Sequence, residues 1–420
     1  MSIKKELIKV YKRVTGQYKK EKHKLRTPAA CYNVPLEVSL TNMVTDEDFQ
    51  NNSKFISNMK KHKWIKPPKS FLCFLPYNCG GGLLAGGYRT IMAINEALSC
   101  YFKAKVYLCF FPIKNEQEDI EKFNNDVVKL FPKLNYEVVS YSDVWKLHVD
   151  VAMCNFWLGA YPLLKFNNCF EKYYLLQDHE ALFFEAGIVS TLAEQTLRFG
   201  FYQFTNSEAI KNYIDFVNSS KSSYRYLPGI DHKIYYPLPN KGFNKEQYKI
   251  IFYGRPSIGR NCFYFVIEVL KKVKFALKDK VEIISVGEDY DVNAYALNGI
   301  ITNYGRLNSL QKLAEIYREC DVGVSLISTP TFSYQHFEYM ASGLCLVTNK
   351  QAGIADMLED GKNAVVCEPI VDIMAKKMVD LINSPEQMKK ISKNGISFTE
   401  KLDWNSCFEG IANFILRNKN

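Results

Sequence analysis

Residues 250–275 read IIFYGRPSIGRNCFYFVIEVLKKVKF. Ile250 to Tyr253 is a short apolar strand, Gly254 to Arg260 is a loop, and Cys262 to Phe275 is a helix. Earlier in the chain the same order appears: Phe71 to Leu75 is a strand, Pro76 to Gly87 is a glycine-rich loop, and Tyr88 to Ser99 carries Ile91, Ile94 and Leu98 at helical spacing. Glycines in such a loop let backbone approach a ligand closely, and the helix that follows presents unpaired N–H groups and about half a positive charge, a place suited to anions.

Outward from these two openings, strand and helix alternate. Val106 to Ile113, Glu137 to Tyr141, Val149 to Cys154, Tyr173 to Leu176 and Gly200 to Thr205 read as strands of a first half. Val281 to Val286, Asp321 to Leu326, Cys345 to Thr348 and Ala364 to Cys367 read as strands of a second. A stretch punctuated by Pro228, Pro237 and Pro239 separates them. Alternation in each half predicts two doubly wound, Rossmann-like α/β domains facing across a cleft, with ligand crevices beyond the carboxyl ends of the strands. The expected divisions are a basic amphipathic segment at 1–30, a polar linker or peripheral segment at 31–70, a first domain at 71–240 for the acceptor, a second at 247–395 for a nucleotide sugar, and a C-terminal helix at 396–420 that returns to the first domain.

The 420 residues, 47% apolar and 23% charged, are ordinary for a globular protein of two or three domains and argue against a disordered or coiled-coil chain. No run approaches the roughly 18 apolar residues of a membrane span, and the start lacks a signal peptide's apolar core. The twelve cysteines are scattered without a C-x-x-C pair, which fits free thiols in a reducing cytosol better than disulfides or zinc. Charge is uneven: residues 1–30 hold ten Lys or Arg against Glu6 and Glu21, a surplus of +8 out of the whole chain's +10. Within that segment Ile3, Leu7, Val10 and Val14 form one helical stripe with lysines around it, the pattern of a helix lying on an anionic membrane surface. The alternative is a solvated basic arm. No nucleic-acid module accompanies it. The expectation is a cytoplasmic protein, peripheral at the inner face of the cell membrane through residues 1–26.

Several residues are candidates for chemistry. Arg255 and Arg260 bracket the turn after the strand at 250, where two guanidiniums and a helix start converge as a diphosphate requires. Glu338 stands beside the start of an apolar helix face and either accepts from ribose hydroxyls or caps the helix. Gly81 and Gly82 belong to the first glycine loop. Asp178-His179-Glu180, after the strand Tyr173 to Leu176, is the densest titratable cluster of the first half, and Asp178 or His179 is placed to orient an acceptor hydroxyl. Trp157 and Tyr161 either stack on sugar or fill the core, with core the better reading. No acidic pair stands in a metal-binding context, so neither metal nor cofactor is expected.

The ordered set of glycine-rich loop, Gly254-Arg255 with Arg260, Gly305-Arg306-Leu307, Glu338-x-Met340-Ala341-x-Gly343, Ala352-Gly353-Ile354 and Leu402-Asp403-Trp404 resembles the retaining glycosyltransferases of family 4 with the GT-B fold, over residues 71 to about 415. Within them, residues 174–183 (YLLQDHEALF), 199–207 and 252–261 look like bacterial rhamnosyltransferases that use dTDP-rhamnose. The resemblance implies transfer of a sugar, with anomeric retention, from a nucleotide sugar to a glycan or lipid-linked glycan acceptor. It makes Arg255 and Arg260 the diphosphate clamp, Arg260 standing where most members have Lys. Glu338 matches the second carboxylate of the family's paired-Glu motif and would hold the nucleotide sugar, joined by the loop residues Thr331, Ser333 and Tyr334. Gly305, Arg306 and Leu307 would border the base, and Gly81 and Gly82 would face the diphosphate or sugar across the cleft. The motif's first carboxylate is replaced by Pro330, which fits the narrower resemblance and also motivates the alternative of a non-catalytic nucleotide-sugar or glycan-binding protein; a further alternative is transfer from another dTDP or UDP sugar.

Overall fold

The computed structural model describes residues 44–76, 86–111, 116–218, 223–239, 241–307 and 309–417. Two parallel sheets organise it. The first contains β1 (Ser70–Leu75), β2 (Lys105–Phe110), β3 (Tyr136–Val138), β4 (Val151–Cys154), β5 (Glu171–Leu176), β6 (Tyr202–Thr205) and β7 (Ser223–Arg225), in the spatial order β3-β2-β1-β4-β5-β6-β7. The second contains β8 (Tyr248–Gly254), β9 (Val281–Gly287), β10 (Thr302–Asn303), β11 (Val322–Val324), β12 (Cys345–Asn349) and β13 (Val365–Cys367), in the order β10-β9-β8-β11-β12-β13. Each sheet reverses direction at its first strand: β1 lies between β2 and β4, and β8 between β9 and β11. In doubly wound sheets that reversal opens a crevice at the strands' carboxyl ends.

The alternating Cβ direction along each strand divides the second sheet's side chains between two cores. Tyr248, Ile250, Phe252, Val322, Val324 and Val347 meet the helices Phe263–Leu277 and Val371–Ile382 on one face. Ile251, Ile284, Val286 and Leu346 meet Leu310–Glu319 and Tyr334–Ala341 on the other. Burial on both faces is why these strands read as unbroken apolar runs rather than alternating ones.

The stretch 31–70 reads as linker and peripheral segment; within its described part Asp46–Met59 is a helix opened by a capping box in which Thr45 and Asp48 bond each other's backbone N–H. Asn52 of that helix donates to Phe199 O at 2.8 Å, and the buried Lys172 ammonium donates to Asn52 Oδ1, Leu164 O and Asn167 Oδ1 at 2.9–3.1 Å, so the helix is fastened to the first sheet. The sequence there is polar because most of the helix faces water. After β12 the chain makes a single 3-10 turn at Ala352–Ile354. Residues 396–417 comprise the end of the helix Pro385–Thr399 and a further helix, Trp404–Leu416, whose Phe414 packs on Tyr202, Phe204 and Tyr224 of the first sheet. The readings of residues 1–30 lie outside the described residues. Among the described residues no helix is long and apolar enough to cross a membrane.

Candidate functional site

Beyond the carboxyl end of β8 the chain turns tightly: Ile258 N donates to Arg255 O at 3.1 Å, and a one-turn helix at Gly259–Asn261 precedes the helix Phe263–Leu277. Arg255 and Arg260 therefore stand on one arch at the second sheet's crevice. Arg260 O accepts from Ser328 N at 3.0 Å, which joins this arch to the loop following β11. The Arg260 side chain crosses to the first lobe, with its Nε 3.8 Å from Asp178 Oδ2 and its guanidinium over the Phe183 ring at 4.4 Å. Burial lowers the Arg260 pKa and the Arg255 charge adds to this, while Asp178 opposes both. Two like charges held within electrostatic reach of each other favour an anion between them.

Asp178 is buried beside the end of β5, and burial raises its carboxyl pKa against the pull of Arg260. His179 is committed through Nε2 to Glu194 Oε2 at 2.7 Å and packs on Tyr213. Glu180 is an internal strut rather than a site residue. It accepts from Trp157 N at 2.6 Å and Tyr174 OH at 3.1 Å, and burial pushes its pKa up to about 8. Trp157 and Tyr161 are core residues, 0% and 1% exposed.

The loop after β11 crosses back toward the first lobe. Thr331 Oγ1 lies 3.1 Å from Gln177 O and 3.0 Å from Asn206 Oδ1, and Ser207 Oγ donates to Pro330 O at 2.8 Å. Thr90 Oγ1 donates to the Tyr334 hydroxyl at 3.0 Å, and the Tyr334 ring stacks near Trp404. Ser333 and His336 form the capping box of the helix Tyr334–Ala341. Glu338, at the helix's fifth position, is thus not its cap. Desolvation pushes its pKa up to about 7, opposed by the Tyr235 hydroxyl and the Arg89 guanidinium. Gly305 takes a φ of +64° in the loop after β10, where a Cβ would collide with Asp289. The neighbouring Arg306 is exposed and Leu307 packs on the second core. Gly81 and Gly82 lie outside the described residues.

A cavity of about 230 Å³ lies where the lobes meet, lined by Asp178, His179, Tyr213 and Ile210 of the first lobe and Pro330 and Ala352 of the second. Among the described residues no group of three or more His, Cys, Asp or Glu side chains is placed to hold a metal ion. Sequence reasoning missed Arg89, Tyr235, Glu288 and His336. His336 is buried with its pKa pulled down to about 4, its Nε2 2.9 Å from Ser325 O and its Nδ1 accepting from Ser333 N, so it pins the loop as a neutral ring. No motif announces such a residue; only the fold shows what it holds.

Comparison with known proteins agrees with this architecture. Residues 248–379 match the family model for the WsaF C-terminal domain. The O-antigen biosynthesis protein RfbC of Myxococcus xanthus is 30% identical over 257 residues, 61% of this chain and 20% of that protein. An uncharacterized glycosyltransferase, MJ1178 of Methanocaldococcus jannaschii, is 22% identical over 209 residues, 49% of this chain and 56% of that one. The chain thus spans a fifth to just over half of the length of these relatives. Anabaena HepE, solved with UDP-glucose, has a TM-score of 0.64 at 14% identity, covering 82% of this chain and 99% of that one. The fold is that of the GT-B glycosyltransferases.

Proposed function

We propose that this GT-B chain, of the group 1 glycosyltransferase kind, moves L-rhamnose from dTDP-rhamnose to a growing, lipid-linked cell-surface glycan with retention at the anomeric carbon. The observation that carries the reading is the Arg255 and Arg260 pair on the arch after β8, with Arg260 reaching the first lobe's Asp178. Breaking the anomeric C–O bond leaves negative charge on the departing nucleoside diphosphate. Guanidiniums already in place stabilise that charge without reorganisation, and charge-assisted hydrogen bonds contribute about 1.5–3 kcal/mol each. In this reading Glu338 accepts from the hydroxyls of the nucleoside sugar, or from the single 3′-hydroxyl of a deoxyribose. In the same reading Asp178 or His179 orients the acceptor hydroxyl once the diphosphate engages Arg260.

Choice of sugar draws support from the cavity between the lobes: Ile210, Pro330 and Ala352 give it apolar walls that suit a sugar lacking the 6-hydroxyl. RfbC is named for O-antigen biosynthesis and HepE was solved with UDP-glucose, which supports a nucleotide-sugar donor and a glycan product. Retention and the lipid-linked acceptor follow from the family resemblance, and a cytoplasmic position at the inner membrane face follows from the basic pattern of residues 1–26.

Thermal shifts against dTDP-rhamnose, dTDP-glucose, UDP-glucose and the free diphosphates test the reading. A one-site ligand at about 100 times its Kd adds roughly 2.7 kcal/mol of stability. The expected order puts dTDP-rhamnose first; preference for a UDP sugar would reassign the donor. A flat response to every nucleotide sugar would refute the function. Turnover that requires an acceptor glycan separates transfer from mere binding.

A further inference from the structure

Arg255 is held from behind. Glu288, the first residue after β9, accepts through Oε1 from Arg255 Nε at 3.3 Å and from the Ser257 hydroxyl, and through Oε2 from Ser257 N at 3.2 Å. Its own backbone is fixed at both ends: Glu288 N donates to Gly254 O at 3.0 Å, and Glu288 O accepts from Asn303 Nδ2 at 3.1 Å. One carboxylate, anchored at the end of the neighbouring strand, therefore fixes both the Arg255 side chain and the arch that carries Arg255 and Arg260.

The choice of nitrogen matters. Bonding at Nε leaves the outer end of the guanidinium, formed by the two terminal nitrogens, available to meet phosphate oxygens in bidentate fashion. A carboxylate this close also repels an anionic ligand, so its two effects on a diphosphate have opposite signs. Three hydrogen bonds to the arch outweigh that repulsion only if the orientation of Arg255 is what the ligand needs.

We infer that Glu288 is a positioning residue for the donor: it orients Arg255 and stiffens the 255–260 arch, so that the negative residue beside the diphosphate site strengthens donor binding rather than weakening it. The inference rests on the nucleotide-sugar reading above. It is tested by calorimetric titration of the full-length protein with dTDP, using Glu288→Ala, Glu288→Gln, Arg255→Ala and the Arg255→Ala/Glu288→Ala pair. Glu288→Ala is expected to weaken dTDP about tenfold, the scale of one hydrogen bond to a charged group. Glu288→Gln, which keeps an oxygen for Nε and loses the charge, is expected to restore binding to within about twofold. In the Arg255→Ala background, Glu288→Ala should have no further effect on dTDP affinity, the mark of an interaction routed through Arg255. In transfer assays the donor KM should rise more than kcat falls.

Unchanged or tighter dTDP binding by a folded Glu288→Ala would overturn the inference, and so would an equal loss in the Arg255→Ala background. Melting temperatures identify any variant that fails to fold, and the Glu288→Gln comparison then carries the test. A wild-type protein that binds neither dTDP nor UDP would overturn the nucleotide reading and this inference together. A wild type that binds dTDP while Glu288→Ala binds it equally well overturns the inference alone.

Discussion

If Glu338 holds the donor as proposed, donor binding depends on pH in a direction that the surroundings of its carboxyl specify. Desolvation pushes its carboxyl pKa up to about 7, against the opposing pull of the Tyr235 hydroxyl and the Arg89 guanidinium. The phenols of Tyr317, Tyr334 and Tyr339 lie within electrostatic reach of it. A group with that pKa is about one-tenth ionised near pH 6 and about nine-tenths ionised near pH 8. Only the carboxylate offers both oxygens as acceptors, so affinity for dTDP-rhamnose should rise up to about tenfold across that interval, which is about 1.4 kcal/mol. The nucleotide sugar itself has no ionisation there, so titration calorimetry at the two pH values isolates the protein's contribution. Glu338→Gln should bind with weak pH dependence. Stability moves the other way. The folded pKa lies above the unfolded one, so between the unfolded value and about 7 the folded state binds more protons, and stability falls as pH rises through that window and then levels off. Affinity that is flat in the wild type, or that rises equally in Glu338→Gln, would refute the assignment of Glu338 to the donor.

Other consequences can be measured directly. Arg260→Ala should lower kcat about 10²- to 10³-fold, as removal of a donor to developing negative charge does, while circular dichroism stays unchanged; a loss below tenfold would remove Arg260 from the leaving-group site. Thr331→Val deprives Gln177 O and Asn206 Oδ1 of their shared hydroxyl partner and should cost about 1–3 kcal/mol, read as a fall in melting temperature. Lys172→Met strands the three oxygens that its ammonium satisfies and should cost about 3 kcal/mol or more, with hydrogen exchange rising first in Asp46–Met59. Deleting residues 1–26 should abolish sedimentation with anionic vesicles while sparing transfer to a soluble acceptor; unchanged vesicle binding would dismiss the membrane role.

The sheets were legible because parallel strands buried on both faces are apolar over most of their length, as at residues 250–253 and 173–176. The arginine arch was legible for a related reason: Gly254 and Arg255 directly follow such a strand, and strand ends are where crevices open. Helices with mixed faces were harder. Trp157–Lys165 is buried almost all round and contains Pro162, so it shows no amphipathic stripe, and its aromatic residues invited a sugar-stacking alternative. Glu288 and Arg89 were invisible because their significance lies in contacts at long sequence separation: Glu288 reaches Arg255 across adjacent strands, and Arg89 comes within 3.9 Å of Asp231 in the segment joining the lobes.

The replacement of a carboxylate by Pro330 is part of a larger local arrangement. Pro330 O accepts from Ser207 of the first lobe, Thr331 N turns back onto Thr329 O at 2.7 Å, and Thr331 O accepts from Gln351 Nε2 at 2.6 Å. Gly353 lies so close that a Cβ would overlap the Pro330 and Thr331 backbone. Together with the contacts of Thr331, Ser333 and Tyr334, these bonds engage most of the loop's polar groups within the protein itself, the buried Thr329 hydroxyl excepted. What the loop presents to the interlobe cavity is therefore shape and the apolar Pro330 ring. Under the proposed function, polar contacts to a sugar at this spot come from the opposite wall, where Asp178 and His179 line the same cavity.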